Sequence, residues 1–216
     1  MNNPVSVSIL SSDFMNLQDD IKKIEKSGAQ MIHFDIMDGV FVNNISFGFP
    51  ILEKVNKNTV MNLDVHLMII DPLKYIESCA KFGADIITFH IESKCDTLST
   101  IKSIKNTGAK IGLSLKPNTP FESAQPFMDT IDMLLIMTVE PGFGGQSFMV
   151  NMLDKIRQAK KYITDNNLDV KIQVDGGINN ETAKLAVKAG ADILVAGSYL
   201  FKSDNMSEAV KLLRDI

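Results

Sequence analysis

The chain is poor in several residue types that commonly carry function. Its 216 residues hold no tryptophan, only two cysteines and only three histidines. Cys79 and Cys95 form no C-x-x-C pair, so reduced thiols of a cytosolic protein are expected. No apolar run approaches the ~20 residues of a membrane span. The opening Met1-Asn2-Asn3-Pro4 lacks a basic segment followed by an apolar stretch, so no export signal is expected and the location is read as cytoplasmic. A surplus of positive charge is missing too: 22 Lys and Arg against 26 Asp and Glu leave −4, with no basic stripe to bind nucleic acid. What remains is an ordinary globular composition, long enough for one well-buried core. With no linker or low-complexity stretch, residues 1–216 are expected to form a single domain.

The scarce histidines are not scattered. Each ends a short apolar run with a carboxylate two residues away: His33-Phe34-Asp35, Asp64-Val65-His66 and His90-Ile91-Glu92. Side chains at i and i+2 of a strand share a face, so each triplet aims imidazole and carboxylate together. Those two groups are ligands for divalent transition metals. One such triplet reads most simply as hydrogen-bonded filling of a core; three that use every histidine point to a shared site.

A repeated punctuation suggests the architecture. Gly28-Ala29-Gln30-Met31-Ile32, Gly83-Ala84-Asp85-Ile86-Ile87, Gly108-Ala109-Lys110-Ile111 and Gly190-Ala191-Asp192-Ile193-Leu194 each follow an amphipathic stretch and open an apolar run. That is a helix closed by glycine, then a buried strand. The spacing fits a unit of about 27 residues, eight to the chain. Strands are expected at 5–9, 31–36, 60–67, 86–91, 110–115, 133–139, 170–174 and 193–196. Helical patterns such as Leu17-Ile21-Ile24, Met152-Ile156-Ala159-Ile163 and Ala183-Val187 lie between. Alternating strand and helix implies a parallel sheet, and eight units close a (β/α)8 TIM barrel with its active site at the C-terminal strand ends. An open doubly wound sheet is the alternative. All three triplets fall at the active end of the second, third and fourth strands.

Val174-Asp175-Gly176-Gly177 ends the seventh strand with another carboxylate. Asp35 and Asp175 are expected to face one another over the barrel axis. Two carboxylates on opposite sides of a flat intermediate allow inversion at carbon, one removing a proton and the other delivering one. A metal would polarise a ketone and its neighbouring hydroxyl and stabilise the enediolate. His33, Asp35, Asp64, His66, His90, Glu92 and Asp175 are the candidate ligands. Spacing does not separate direct ligands from groups that orient them, Asp64, His90 and Glu92 included.

Glycine-rich turns follow the last three strands: Gly142-Phe143-Gly144-Gly145, Gly176-Gly177 and Gly197-Ser198. Glycine lets backbone N–H groups approach an anion closely, which suits a phosphate held without a lysine cluster. Met37, Met68 and Met137 sit at or just past strand ends, as a water-excluding wall or as core filler.

Five motifs span nearly the whole chain: Ser8-Ile9-Leu10-Ser11-Ser12-Asp13-Phe14, His33-Phe34-Asp35-Ile36-Met37-Asp38-Gly39, Leu63-Asp64-Val65-His66-Leu67-Met68, Pro141-Gly142-Phe143-Gly144-Gly145-Gln146 and Val174-Asp175-Gly176-Gly177-Ile178-Asn179. With them the chain resembles the ribulose-phosphate 3-epimerase family. The resemblance implies interconversion of D-ribulose 5-phosphate and D-xylulose 5-phosphate in the pentose phosphate pathway, in a homo-oligomer. It implies one divalent metal per chain on His33, Asp35, His66 and Asp175, with Asp35 and Asp175 also as acid and base. It further implies substrate contacts from Ser8, His66, the three methionines, Gly142 to Gly145, Gly176, Gly177, Gly197 and Ser198. His90 and Glu92 are not direct ligands in that pattern. Zinc is the first choice of metal, and iron(II), manganese(II) and cobalt(II) suit the same donors. Asn43 and Val7 stand where the family usually has proline, so the Phe41–Asn44 loop is expected to be more mobile.

Three other readings use the same residues. A six-carbon ketose phosphate such as D-allulose 6-phosphate would need the same aspartates, though Asp175-Gly176-Gly177 favours the pentose. A Schiff-base aldolase would use Lys116 at the end of the fifth strand. A sugar-phosphate sensor would need the glycine turns but not both aspartates.

Overall fold

Eight apolar runs become eight parallel strands because the segment between successive strands, in most units a helix, returns the chain to the same end of the sheet. They are β1 (Val5–Ser8), β2 (Met31–Met37), β3 (Asn62–Met68), β4 (Ile86–His90), β5 (Lys110–Leu115), β6 (Met133–Met137), β7 (Lys171–Asp175) and β8 (Ile193–Ala196). Pairing runs in chain order and closes between β1 and β8, giving the expected (β/α)8 barrel. The helices are α1 (Leu17–Ser27), α2 (Phe49–Lys57), α3 (Ile76–Lys81), α4 (Thr97–Thr107), α5 (Met152–Asp165), α6 (Asn180–Ala189), α7 (Ser198–Phe201) and α8 (Met206–Arg214). The coordinates are a computed structural model and describe residues 3–216. The expectation about export at Met1 and Asn2 therefore lies outside the described residues. No helix among the described residues is long and apolar enough to cross a membrane.

Two of the repeated glycines show why they punctuate the chain. Gly28 and Gly108 end α1 and α4 in the left-handed conformation, φ 83° and 85°, where a Cβ is disfavoured. The residue just before each even strand has a role that spacing did not reveal. Gln30 and Asp85 accept, through their side chains, an N–H at the start of the preceding odd strand, from Val5 at 2.8 Å and Leu63 at 2.7 Å. Asp132 and Asp192 do the same for Ile111 at 2.7 Å and Ile172 at 2.9 Å. Four side-chain clasps thus stitch the N-terminal rim of the barrel.

One unit departs from the alternation. Between β5 and β6 the chain carries Pro117, Pro120 and Pro126, and forms only two single 3-10 turns, Phe121–Ser123 and Gln125–Phe127. Proline lacks the N–H that a helix interior needs and restricts the residue before it. Strand limits otherwise fall within two residues of expectation; β3 starts late because Val60 is exposed.

Strand alternation divides the interior by chemistry. Outward residues such as Val7, Phe34, Val65, Phe89, Leu113, Ile136 and Val174 pack with the helices into one large apolar core. Inward residues close the bottom with a four-residue plug from the even strands, Met31, Ile86, Met133 and Ile193. Above that plug the barrel is polar: Ser6, His33, Asp64, His66, Thr88, His90, Ser114 and Gln173 are all buried. Buried polar groups cost stability unless they are paired, so this layer is expected to serve a purpose.

The rim clasps carry a testable consequence. Asp85→Ala or Asp132→Ala leaves a strand N–H without its acceptor and is expected to cost about 1–2 kcal/mol of stability. The reading is a lower urea midpoint at unchanged slope. An unchanged midpoint would mean that water replaces the clasp.

Candidate active site

Parallel register places the histidine triplets side by side. His33 stands beside Asp64, Asp35 beside His66 and Met37 beside Met68 along β2 and β3. Asp175 joins them from β7, three strands away through β1 and β8, so it flanks the axis with Asp35 rather than standing diametrically opposite. One ligand atom from each of His33, Asp35, His66 and Asp175 lies within 4.8 Å of the other three.

The contacts give each atom a direction. His33 Nδ1 lies 2.8 Å from Asp64 Oδ2, which also accepts from Ser6 Oγ at 3.0 Å and Gln173 Nε2 at 2.6 Å. The other ring nitrogen, His33 Nε2, is 3.2 Å from Asp35 Oδ1 and 3.7 Å from Asp175 Oδ2. It is buried yet makes no hydrogen bond, because the short approach to Asp35 is poorly aligned. His66 Nδ1 faces the same oxygens, at 3.1 Å from Asp35 Oδ1 and 3.9 Å from Asp175 Oδ2. Ligand bonds of about 2.1 Å in a tetrahedral site set neighbouring donors about 3.4 Å apart. The observed separations bracket that value, and the unpartnered His33 Nε2 points inward. The four residues fit a divalent metal.

Charge in this site is finely opposed. Burial disfavours protonation of His33, but Asp35 and Asp64 outweigh it and hold its pKa well above the ordinary value. Burial likewise opposes ionisation of Asp35, yet His33 and His66 hold its pKa far below the ordinary carboxylate range. For Asp175, burial together with the charges of Asp35 and Asp64 pushes it up to about 6 against the pull of His33 and His66. One carboxylate is thus held ionised while its neighbour titrates near neutrality, a separation suited to acid–base work.

A pocket opens directly above. Ser8, Asp35, Asp175 and all three methionines Met37, Met68 and Met137 line it, with the turns Gly142 to Gly145, Gly176-Gly177 and Gly197-Ser198 around its rim. Ser8 Oγ donates to Asp35 Oδ2 at 2.9 Å. His33 and His66 lie beneath the pocket floor, fully buried. Gly177 has φ 67°, and a Cβ there would come within 2.4 Å of the Phe148 backbone nitrogen, so only glycine fits this turn. Among the described residues, no lysine or arginine lines the pocket.

Several lining residues carried no signal of their own, among them Ser11, Gln146 and Ile178. Ser11 lies in a resembling motif but in no strand pattern; it reaches the pocket because Gly197 lets it approach, a Cβ there meeting Ser11 Oγ at 2.8 Å. Lys116 points elsewhere. Its ammonium sits 3.7 Å above the Phe41 ring and donates weakly to Phe41 O at 3.4 Å, outside the pocket lining. The loop carrying Phe41 is tied at both ends: Asp38 accepts from Phe41 N at 2.8 Å and Ile70 N at 2.7 Å, and Asn44 Nδ2 donates to Gly142 O at 2.7 Å.

His90 and Glu92 lie behind His66. Burial, chiefly, brings His90 down to about 4, so its ring is neutral. Burial opposes ionisation of Glu92, but His90 together with the Thr119 side chain and the Lys116 amide outweighs that and brings it down to about 2.

Residues 4–201 match the model of the ribulose-phosphate 3 epimerase family. The chain is 46% identical over 211 residues to a ribulose-phosphate 3-epimerase of Bacillus subtilis, covering 97% of each protein. Identity is also 46% to one from Methanocaldococcus jannaschii, over 98% of this chain and 89% of that protein. Among solved structures, orotidine 5'-phosphate decarboxylase from Pyrococcus horikoshii superposes with a TM-score of 0.69 at 15% identity, over 98% of this chain and 97% of that one. That likeness is one of fold alone.

To take an ion, His33 and Asp175 must give up the protons their raised pKa values retain. Zinc(II) binding to chelator-stripped protein is therefore expected to release protons and to tighten as pH rises through about 6. Calorimetric titrations in buffers of different ionisation heat measure this; affinity that weakens with rising pH in that window would contradict the site.

Proposed function

The chain belongs to the ribulose-phosphate 3-epimerase family and is an isomerase of that type, and from that premise we propose that it inverts C3 of D-ribulose 5-phosphate to give D-xylulose 5-phosphate, reversibly, with Asp35 and Asp175 as acid and base. The carrying observation is the pair of carboxylates of opposed acidity that lines one pocket. One carboxylate takes the C3 proton from one face of the bound ketose. The C–H electrons move into a C2–C3 double bond as the C2 oxygen gains charge, giving a planar 2,3-enediolate. The second carboxyl group returns a proton to the other face of C3, and its carboxylate form remains. A single base returning its own proton would restore the starting configuration.

His33, Asp35, His66 and Asp175 would hold a divalent ion, zinc first among zinc, iron(II), manganese(II) and cobalt(II). When bound, the ion supplies Lewis acidity toward the C2 carbonyl and the neighbouring hydroxyl. Ser8 steadies Asp35 through its bond to Oδ2. The buried sulfurs and methylenes of Met37, Met68 and Met137 exclude water that would protonate the enediolate from the wrong face. The glycine turns offer backbone N–H groups to the phosphate, which accounts for an anion site with no cationic side chain. The family resemblance implies a homo-oligomer, and a cytoplasmic location is part of the same reading; no helix among the described residues is long and apolar enough to cross a membrane.

Asp35→Asn and Asp175→Asn are each expected to lower kcat by about 10²–10⁴-fold. C3–H exchange with deuterated solvent should fall in parallel, while affinity for inorganic phosphate stays near that of the parent protein. Turnover undiminished in both variants would refute the roles assigned. A strong kinetic preference for D-allulose 6-phosphate over the pentose would refute the substrate.

A further inference from the structure

The two nitrogens of His66 face different surroundings. Nδ1 looks toward Asp35 and Asp175, whereas Nε2 is turned away and lies 2.9 Å from Nε2 of His90. Two imidazole nitrogens this close share one proton, and the contact alone does not say which ring owns it. The next links decide. His90 Nδ1 lies 3.1 Å from Glu92 Oε2, and Glu92 Oε1 accepts the backbone N–H of Lys116 at 2.8 Å.

An ionised carboxylate only accepts, so the proton on His90 sits on Nδ1. A neutral His90 then presents a bare lone pair at Nε2. The shared proton therefore belongs to His66 Nε2, and an ion taken up between His66 Nδ1 and Asp35 Oδ1, which meet at 3.1 Å, finds Nδ1 as the bare nitrogen. Every donor and acceptor from the Lys116 amide to His66 is used once, in one direction. Both imidazoles are fully buried, and the Phe41 ring covers His90 at 4.8 Å between centroids. Water is not at hand to replace a lost partner inside this chain.

We propose that His90 and Glu92 are positioning residues that lock His66 in the tautomer whose Nδ1 can bind metal. The proposal rests on the metal reading given above. Asp64 holds His33 in the matching way by a direct bond, so each imidazole of the cluster is oriented from behind, one by a carboxylate and the other through a second ring. Neither His90 nor Glu92 lines the substrate pocket. Loss of such an outer partner typically weakens metal affinity by about 10–100-fold.

Glu92→Gln isolates the effect because it is nearly isosteric. Glu92 receives a donor on each oxygen, so a glutamine must set its NH2 against either His90 Nδ1–H or the Lys116 N–H. Relief of the first clash moves the His90 proton to Nε2 and drives the shared proton onto His66 Nδ1. The probe is zinc(II), titrated against a competing chelator into stripped protein, with 15N spectra of the histidine rings in the same samples. Glu92→Gln and His90→Leu are expected to weaken zinc binding about 10–100-fold. His90→Gln can still accept from His66 and donate to Glu92, and should bind zinc close to the parent value. Zinc-loaded parent protein should show the His66 proton on Nε2.

Unchanged zinc affinity in folded Glu92→Gln, or a His66 proton on Nδ1 in the zinc-loaded parent, would overturn the lock. Parent protein that binds no zinc would instead overturn the metal reading beneath it. If His90→Leu fails to fold, Glu92→Gln and the parent spectra still decide the question.

Discussion

The structure turns on one electrostatic constraint: three carboxylates and two imidazoles share a buried volume at the mouth of a barrel. Asp35, Asp64 and Asp175 cannot all stay ionised there unless positive charge sits among them. Without an ion, protons fill that role, which is why His33 retains one so strongly and why Asp175 is hard to ionise. A divalent cation satisfies the same demand with a single charge centre. The fit to a divalent ion is thus built into the burial of the groups, and the barrel bears the cost of a polar interior to maintain it.

That cost is confined by the alternation of the strands. Outward residues build the apolar core against the helices, so the inward face is released from most of the work of folding. The Met31, Ile86, Met133 and Ile193 plug closes the bottom, and polar layers above it place donors around Asp64. Asp64 gathers Ser6, His33 and Gln173 on one oxygen, which anchors a network spanning β1, β2, β3 and β7. Stability and chemistry therefore reside on opposite faces of the same strands.

Much of this was legible in the chain. The i, i+2 triplets at His33, Asp64 and His90 announced inward-facing pairs, and the recurring Gly-Ala punctuation announced the units, because both depend on local backbone geometry. The glycine turns after β6, β7 and β8 were legible for the same reason. What stayed hidden depends on partners far away in sequence. Gln173 and Ser6 look like unremarkable strand residues until register brings them to Asp64, and the clasping role of Asp85 and Asp132 needs the neighbouring strand's free amide. Ser11 reaches the pocket only through the space left by Gly197. The missing helix between β5 and β6 was readable from three prolines, but the average period of the repeat concealed it. Lys116 is the strand-end residue an aldolase would need, and Phe41, seventy-five residues away, claims it.

The clasps along the N-terminal rim have an evolutionary implication. They fasten the barrel at the end remote from the pocket, using side chains that belong to the frame and not to the reaction. Turns at the wide end can then be exchanged, lengthened or retuned by natural drift while the frame keeps its registration. A protein engineer grafting new loops onto this scaffold would do well to leave Gln30, Asp85, Asp132 and Asp192 alone and to rewrite only what lies at the other rim.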